Sequence, residues 1–270
     1  MNPRLAMGAL LVTLFALTAV FGPMLLPLDL TPNYELRFRP PGLSHLLGTD
    51  YAGRDILAQL VHGSRDILLI AAAAGVFATL AALVVGVGAA LLGGWWDTLL
   101  SGLTDVFLTV PTFPVMAILA ALVQVEDALT FGLVLSLWSW PGLARSLRAQ
   151  VLTLKHREFL EAARILCMSP GHILFREILP NILPYVTLSF INLARGAITA
   201  SVGIMMLGLV PLKVENWGMM LNLAAFQSGA IFLPHACSYL LSPLAAIVLF
   251  QFGLIQLAAG LEEASDPRLR

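Results

Sequence analysis

The stretch REFLEAARILCMSPGHILFREILP, Arg157 to Pro180, is the longest charged island between hydrophobic runs in this chain. Arg145, Arg148 and Lys155 lead into it. Glu158 to Met168 has the pattern of one amphipathic helix. Phe159, Ala163 and Leu166 fall on one side, and Arg157, Glu161 and Arg164 on another. The pair Ala162-Ala163 leaves room for a second surface to approach. Ser169-Pro170-Gly171 then breaks the helix, and a second short helix leads into the next apolar run at Pro180. A short helix with a small-residue face, exposed between apolar runs, reads either as a docking element or as a solvated connection.

Composition sets the solvent. The 270 residues are 59% hydrophobic and 11% charged, with a net charge of −1 and a mean hydropathy of +0.87. Soluble domains carry about 25% charged residues, so the chain is an integral membrane protein, and its long uncharged runs are expected to make it all-α. Its charge balance gives no case for nucleic acid. Cys167 and Cys237 fall in expected loops on opposite sides of the membrane, so no disulfide framework is expected.

The apolar runs give the expected spans. Leu5–Leu28 is read as an uncleaved span rather than a signal peptide. Asp29–Asp66 is polar, and within it Thr49 or Asp50 can cap a helix whose Ile56, Leu57, Leu60 and Val61 share a face. That helix is expected to lie on the membrane surface. Ile67–Trp96 holds an Ala-rich span closed by Gly93-Gly94 and the interfacial pair Trp95-Trp96. Val106–Val125 forms a third span, interrupted by Pro111 and Pro114. Ala128–Ala144 gives a fourth and Leu183–Leu207 a fifth, and Tyr239–Leu257 gives the last. Trp217–Pro234 is expected to be loop or re-entrant structure. Six spans place both termini and the charged island on one side. The Lys and Arg bias of the island makes that side cytoplasmic, although four arginines in Asp29–Asp66, balanced by five acids, lie outside.

No engine is visible. The only lysines, Lys155 and Lys213, do not follow glycine as a phosphate loop requires. The five histidines are scattered, and no metal-ligand spacing occurs. HExxH and G-x-S-x-G motifs are absent. The pattern fits a non-catalytic pore subunit driven by another protein. A secondary transporter is the competing class, but there is no convincing internal repeat and the spans hold few carboxylates. A membrane enzyme or assembly factor lacks a catalytic constellation.

Several ordered blocks then carry a resemblance. Glu161-Ala162-Ala163 followed by Ile178-Leu179-Pro180-Asn181 resembles the EAA signature of ABC importer permeases. Leu47-Gly48-Thr49-Asp50 with Gly53-Arg54-Asp55, then Asp97, Asp105 and Pro111, then Leu207-Gly208-Leu209 with Trp217-Gly218, and finally Asp266-Pro267-Arg268-Leu269-Arg270, are similar to the dipeptide/oligopeptide/nickel branch, second-permease type. The resemblance implies six transmembrane helices in the type I importer permease (MetI-like) fold. Residues 1–28 would be an N-terminal anchor helix, and 29–66 an extracytoplasmic loop with a surface helix. Residues 67–260 would be a five-helix permease core including a cytoplasmic coupling helix at 157–171, and 261–270 a cytoplasmic tail.

It further implies a multi-pass protein of the cell inner membrane, surrounded by lipid, with cytoplasmic termini. The implied partners are a paralogous permease, two ATP-binding subunits that carry ATP and Mg, and an extracytoplasmic substrate-binding protein. This chain would bind no cofactor or metal itself. Peptide import is the implied function, with nickel or oligosaccharide import by the same machine as the alternative. The coupling surface would comprise Arg157, Glu158, Glu161, Ala162, Ala163, Arg164 and Cys167. Glu161 would pair with Arg157, Arg164 or the ATPase. Arg195 and Pro111 are candidates for the translocation path, and Trp217 and Gly218 for a loop facing the binding protein. Pro111 and Pro114 also read as a packed kink, Trp217 as an interfacial anchor, and Arg195 as a structural ion pair with Asp105 or a partner subunit. Four positions depart from the family pattern. Cys167 replaces a glycine, so the turn there is expected to differ, with Gly171 as the candidate substitute. Gly102 replaces an arginine, Ser201 a glutamate, and Arg195 a small residue.

Overall fold

In the computed structural model, which describes residues 2–210 and 212–265, the described residues are helical throughout except for loops and one isolated bridge, Thr49 to Asp55. Helix α1 covers Pro3–Leu25, with Asn2 accepting from the Arg4 N–H at its start and Pro3 at the first helical position. Helix α2, Ile56–Leu92, is unbroken apart from a π-turn at Leu83–Val87. Helices α3 (Gly94–Thr109) and α4 (Thr112–Leu122) meet at 89°. Then come α5 (Ala128–Ser139), α6 (Pro141–Leu154) and the short α7 (Glu158–Ile165). Helix α8 spans Pro170–Met206 with a π-turn at Ile173–Ile178. Helix α9 is Trp217–Asn222 and α10 is Cys237–Ser265.

Helices α1, α2, α8 and α10 are each long and apolar enough to cross a membrane, and the bent pair α3–α4 makes a fifth if it is one span. Helix α5 is apolar but short. Trp140 keeps helical angles, so α5 runs on into α6 with Pro141 at the joint.

Two expectations about this part of the chain change. The surface helix expected near Ile56 is the first part of α2. Its apolar side is buried, with Ile56 and Ile67 at 0% exposure. Its polar side is covered by the preceding loop rather than by headgroups: Gln59 Nε2 donates to Asp50 Oδ2 at 3.1 Å, and Asp55 rather than Thr49 or Asp50 caps the helix at Ala58 N. Asp50 instead accepts from the N–H groups of Ala52 and Arg54, which ties the loop to itself. The third apolar run is no continuous span either. Pro111 has no N–H to continue the ladder, and the chain turns there. Beyond it, Asp127 starts α5 and accepts from Thr130 N and Oγ1; those bonds hold its carboxyl below the usual carboxylate range.

Helices α1 and α10 pack antiparallel and unusually close. A Cβ on Gly8 would sit 2.2 Å from Leu257 N, and one on Gly260 would sit 2.4 Å from Leu5 N. Arg4 and Asn2 bond Glu263 where the helices end, so the described ends of the chain lie together. At the other end of α1, Pro23 leaves the Ala19 carbonyl without its helical donor, and Arg65 Nε of α2 supplies one at 2.6 Å. Helix α2 therefore returns antiparallel to α1, and its Leu92 end is on the same side as both described ends. The Lys155 ammonium bonds the Ala90 carbonyl there, which puts α7 on that side too.

Overpacking a helix contact costs about 1–3 kcal/mol, so Gly8→Leu is expected to force α1 and α10 apart and lower the thermal unfolding midpoint in detergent by several degrees. Gly102→Ala, at a position with no atom within 4 Å of the new methyl, is the matched control and should leave the midpoint equal or higher.

Candidate functional site

Helix α7 stands outside the bundle and is held along one narrow face. Leu160 is fully buried in a cluster with Leu147 and Val151 of α6 and Ile178 and Ile182 of α8, and Ala163 is also buried. The opposite surface carries Glu158, Glu161 and Ala162, all exposed. Ile165 is 82% and Leu166 68% exposed, and Phe159 is 39%. The inward face is thus Leu160 and Ala163 rather than Phe159, Ala163 and Leu166. A three-residue step, not a four-residue one, fits the gap between α6 and α8. Arg157 and Glu161 are exposed with no ion pair between them among the described residues. The Arg164 side chain lies outside the described residues, as do Asp266 to Arg270.

Cys167 ends the helix. Its φ is +51°, a left-handed value that costs a residue with a Cβ about 1–2 kcal/mol. The Met168 N–H reaches back to the Ala163 carbonyl at 3.1 Å, as in the closure that glycine normally makes at a helix C-terminus. The turn is therefore the one glycine would make, taken by cysteine under strain. Gly171 takes no part in it and sits in the first turn of α8 after the Ser169 cap.

A second feature runs along α8. Asn192, Arg195 and Thr199 share one side, and Arg195 is half-buried while its two polar neighbours are exposed. Arg195 Nε donates to Gln251 Oε1 of α10 at 3.3 Å and Nη1 to Asn192 Oδ1 at 3.1 Å. Gln251 Nε2 in turn donates to the Arg195 carbonyl and to Thr199 Oγ1, both at 3.1 Å. The expected pairing of Arg195 with Asp105 does not form. Asp105 is taken by Arg145, and Asp97 is held by Arg148 through two bonds of 2.5 and 2.6 Å, which bind α3 to α6. A cavity of about 380 Å³ opens beside the stripe, lined by Asn192, Gly196 and Ala200 of α8 and by Phe107, Phe113 and Trp138. Phe107 and Phe113 flank Pro111, so the bend shapes this wall. Pro114 lies in the first turn of α4, where a proline fits without breaking it.

Trp217 and Gly218 do not face outward. Trp217 is 2% exposed, donates from Nε1 to the Leu60 carbonyl at 2.9 Å, and packs edge-on against Phe15. A Cβ on Gly218 would lie 2.9 Å from Met205 Cβ. The segment is a buried helix whose polar residues bond backbone, its own and that of neighbouring helices. Asn216 caps its start, and Asn222 Nδ2 bonds the Met206 carbonyl at the end of α8. The sequence reading missed Gln251, Asn192 and Thr199. The spacing of Asn192, Arg195 and Thr199 was available on one helix, but nothing in the sequence joins Gln251 to it. The departure at Ser201 is a buried hydroxyl bonded to Ile198 O, with no exposure to spare for a longer side chain.

The family profile described as binding-protein-dependent transport system inner membrane component matches residues 78–270. A peptide permease protein of Brucella suis is 35% identical over 233 residues, covering 84% of this chain and 74% of that protein. The oligopeptide transport system permease protein of Bacillus subtilis is 31% identical over 270 residues, covering 99% and 87%. The glutathione transport system permease protein of Escherichia coli is 30% identical over 270 residues, covering 97% and 86%.

Replacing Cys167 by Gly removes the left-handed strain and is expected to raise amide hydrogen-exchange protection across 158–168 by about 1 kcal/mol. Cys167→Val, with a branched side chain forced to the same φ, should lower protection over the same segment.

Proposed function

The chain belongs to the binding-protein-dependent transport system inner membrane components, the permeases of ABC importers, and from that premise we propose that it forms half of a translocation pore for di- and oligopeptides. Membership in the family implies ATPase and substrate-binding partners. On this reading a paralogous permease completes the pore, and two ATP-binding subunits carry the ATP and Mg. An extracytoplasmic binding protein delivers the cargo. The peptide assignment follows the names of the relatives.

One observation carries the mechanical part. Helix α7 is anchored by Leu160 and Ala163 between α6 and α8 while it exposes Ile165, Leu166 and both acidic residues. Isoleucine and leucine left in water beside carboxylates fit a groove on another protein. In this proposal α7 is the coupling helix. The side of the bundle that holds it and both described chain ends is the cytoplasm of an inner-membrane protein. Six crossings follow if α3–α4 counts as one span and α5 with the start of α6 as another. ATP binding draws the two ATPase subunits together, the coupling helices follow, and the pore alternates between two access states.

The α8 stripe is the proposed lining. An arginine within a span, with no carboxylate bonded to it among the described residues, is costly against lipid and is stable against water, cargo or a partner. Its neighbours are amides and a hydroxyl, groups suited to a peptide's own amides.

Purified, reconstituted complexes test both parts. Glu161→Lys is expected to lower substrate-stimulated ATP hydrolysis at least tenfold and to weaken retention of the ATPase subunits. Full stimulated hydrolysis in that variant would remove the coupling role. Arg195→Ala should assemble normally and lower peptide uptake several-fold, and unchanged uptake kinetics would take Arg195 out of the path.

A further inference from the structure

We propose that the chain holds one anionic phospholipid in a groove between the end of α2 and the foot of α8, with an acyl chain between the helices and the phosphate at Lys155 and His156. The groove has two connected parts. The inner part is a wholly apolar slot of about 310 Å³, with Val84 and Gly88 on the α2 wall and Phe175 and Leu179 on the α8 wall. The outer part is a cleft of about 940 Å³ whose rim includes Lys155 and His156. Leu91 and Leu174 line both parts, so the slot and the cleft adjoin.

The slot is built into the backbone. Each wall contains a π-turn, Leu83–Val87 on one side and Ile173–Ile178 on the other. A π-turn inserts an extra residue into a helix and shifts the side chains that follow, and such turns concentrate at functional positions. Here two of them face each other across the same gap. From Leu91 back to Leu83 the wall rises roughly 12 Å into the membrane at 1.5 Å per residue, a depth that suits an acyl chain and not a soluble subunit.

The level of the mouth is marked independently. Trp95 and Trp96, 68% and 52% exposed, follow directly on α2, and paired tryptophans sit at the membrane interface. Lys155 donates one N–H to the Ala90 carbonyl at that same level and keeps two for a ligand. His156 beside it is exposed. Asp97, whose carboxyl feels the Lys155 charge, is already paired through both oxygens with Arg148, which blunts its repulsion of a phosphate. An apolar slot that opens at headgroup depth onto two basic side chains has the chemistry of an anionic lipid site.

The proposal does not depend on the cargo, and its test needs no transport. The intact complex would be purified in mild detergent, exchanged against mixed micelles holding phosphatidylglycerol or phosphatidylcholine, and washed. Retained lipid would be counted by native mass spectrometry. The wild type is expected to keep one phosphatidylglycerol and to keep phosphatidylcholine at least tenfold less. Lys155→Gln with His156→Gln should abolish that preference. Gly88→Phe should abolish retention, because the new ring enters the slot while its Cβ meets only the Leu100 side chain, at 4.0 Å. Val84→Trp, at a position 74% exposed, repeats the blockade from a second residue. Three results would overturn the proposal: no lipid retained by the wild type, as when a partner's helix fills the slot; equal retention of both lipids; or retention unchanged by the two filling substitutions.

Discussion

Hydrocarbon offers no hydrogen-bond partners, and at several places where a helix of this chain bends or ends inside the bundle a side chain from elsewhere meets the backbone. Pro23 frees the Ala19 carbonyl, and Arg65 comes from α2 to meet it. The α3–α4 bend leaves the Phe107 carbonyl near the joint, and Trp138 Nε1 bonds it at 3.2 Å. Asn222 takes the Met206 carbonyl at the end of α8, Trp217 takes that of Leu60, and Lys155 takes that of Ala90. These contacts also fix the topology, because each joins a helix end to a different helix. The direction of α2 against α1, and hence the side on which α7 lies, follows from them.

The same constraint sorts the polar residues. Trp217, Asn216 and Asn222 sit in or beside a segment whose lack of charge and scatter of amides suggested loop or re-entrant structure, and there Trp217 Nε1 and Asn222 Nδ2 bond carbonyls of neighbouring helices while Asn216 Oδ1 accepts from the Gly218 N–H. What remains after such pairings are taken out is a short set. Arg195, Asn192, Thr199 and Gln251 bond mainly to one another, and Asn192 borders a cavity. A group that the fold does not need for its own backbone, yet keeps at membrane depth, is the better candidate for work on a passing solute.

Much of the fold was legible because hydrocarbon thickness writes itself into sequence as uncharged runs, and α1, α2, α8 and α10 all follow from Leu5–Leu28, Ile67–Trp96, Leu183–Leu207 and Tyr239–Leu257. The glycine pair at Gly93-Gly94 and the break at Ser169-Pro170 were equally plain, since both depend on local backbone chemistry. Faces were not legible. In water the apolar side of a helix is the buried side, but in a membrane the lipid is as apolar as the core, and periodicity loses its meaning. That is why Ile56 to His62 read as a surface helix when its polar residues were bonded to a loop, and why Phe159 and Leu166 read as inward on α7. The site suffered for a second reason. Gln251 reaches Arg195 across two helices far apart in sequence, and no spacing on either one announces it.

The anchoring of α7 bears on how a push at the membrane surface reaches the interior. Leu160 is wedged among residues of both α6 and α8, so a displacement of α7 cannot be absorbed by one of them alone. Helix α6 is tied through Arg145 and Arg148 to α3, whose far end is the bend at Pro111, while α8 carries the Asn192–Arg195 stripe. Phe107 and Phe113 on one side and Gly196 on the other line the same cavity, and the arms that carry them share the buried cluster around Leu160. Packed interiors shift between discrete arrangements rather than deform smoothly. In the proposed coupling role, a small movement of α7 would change the spacing between the two cavity walls.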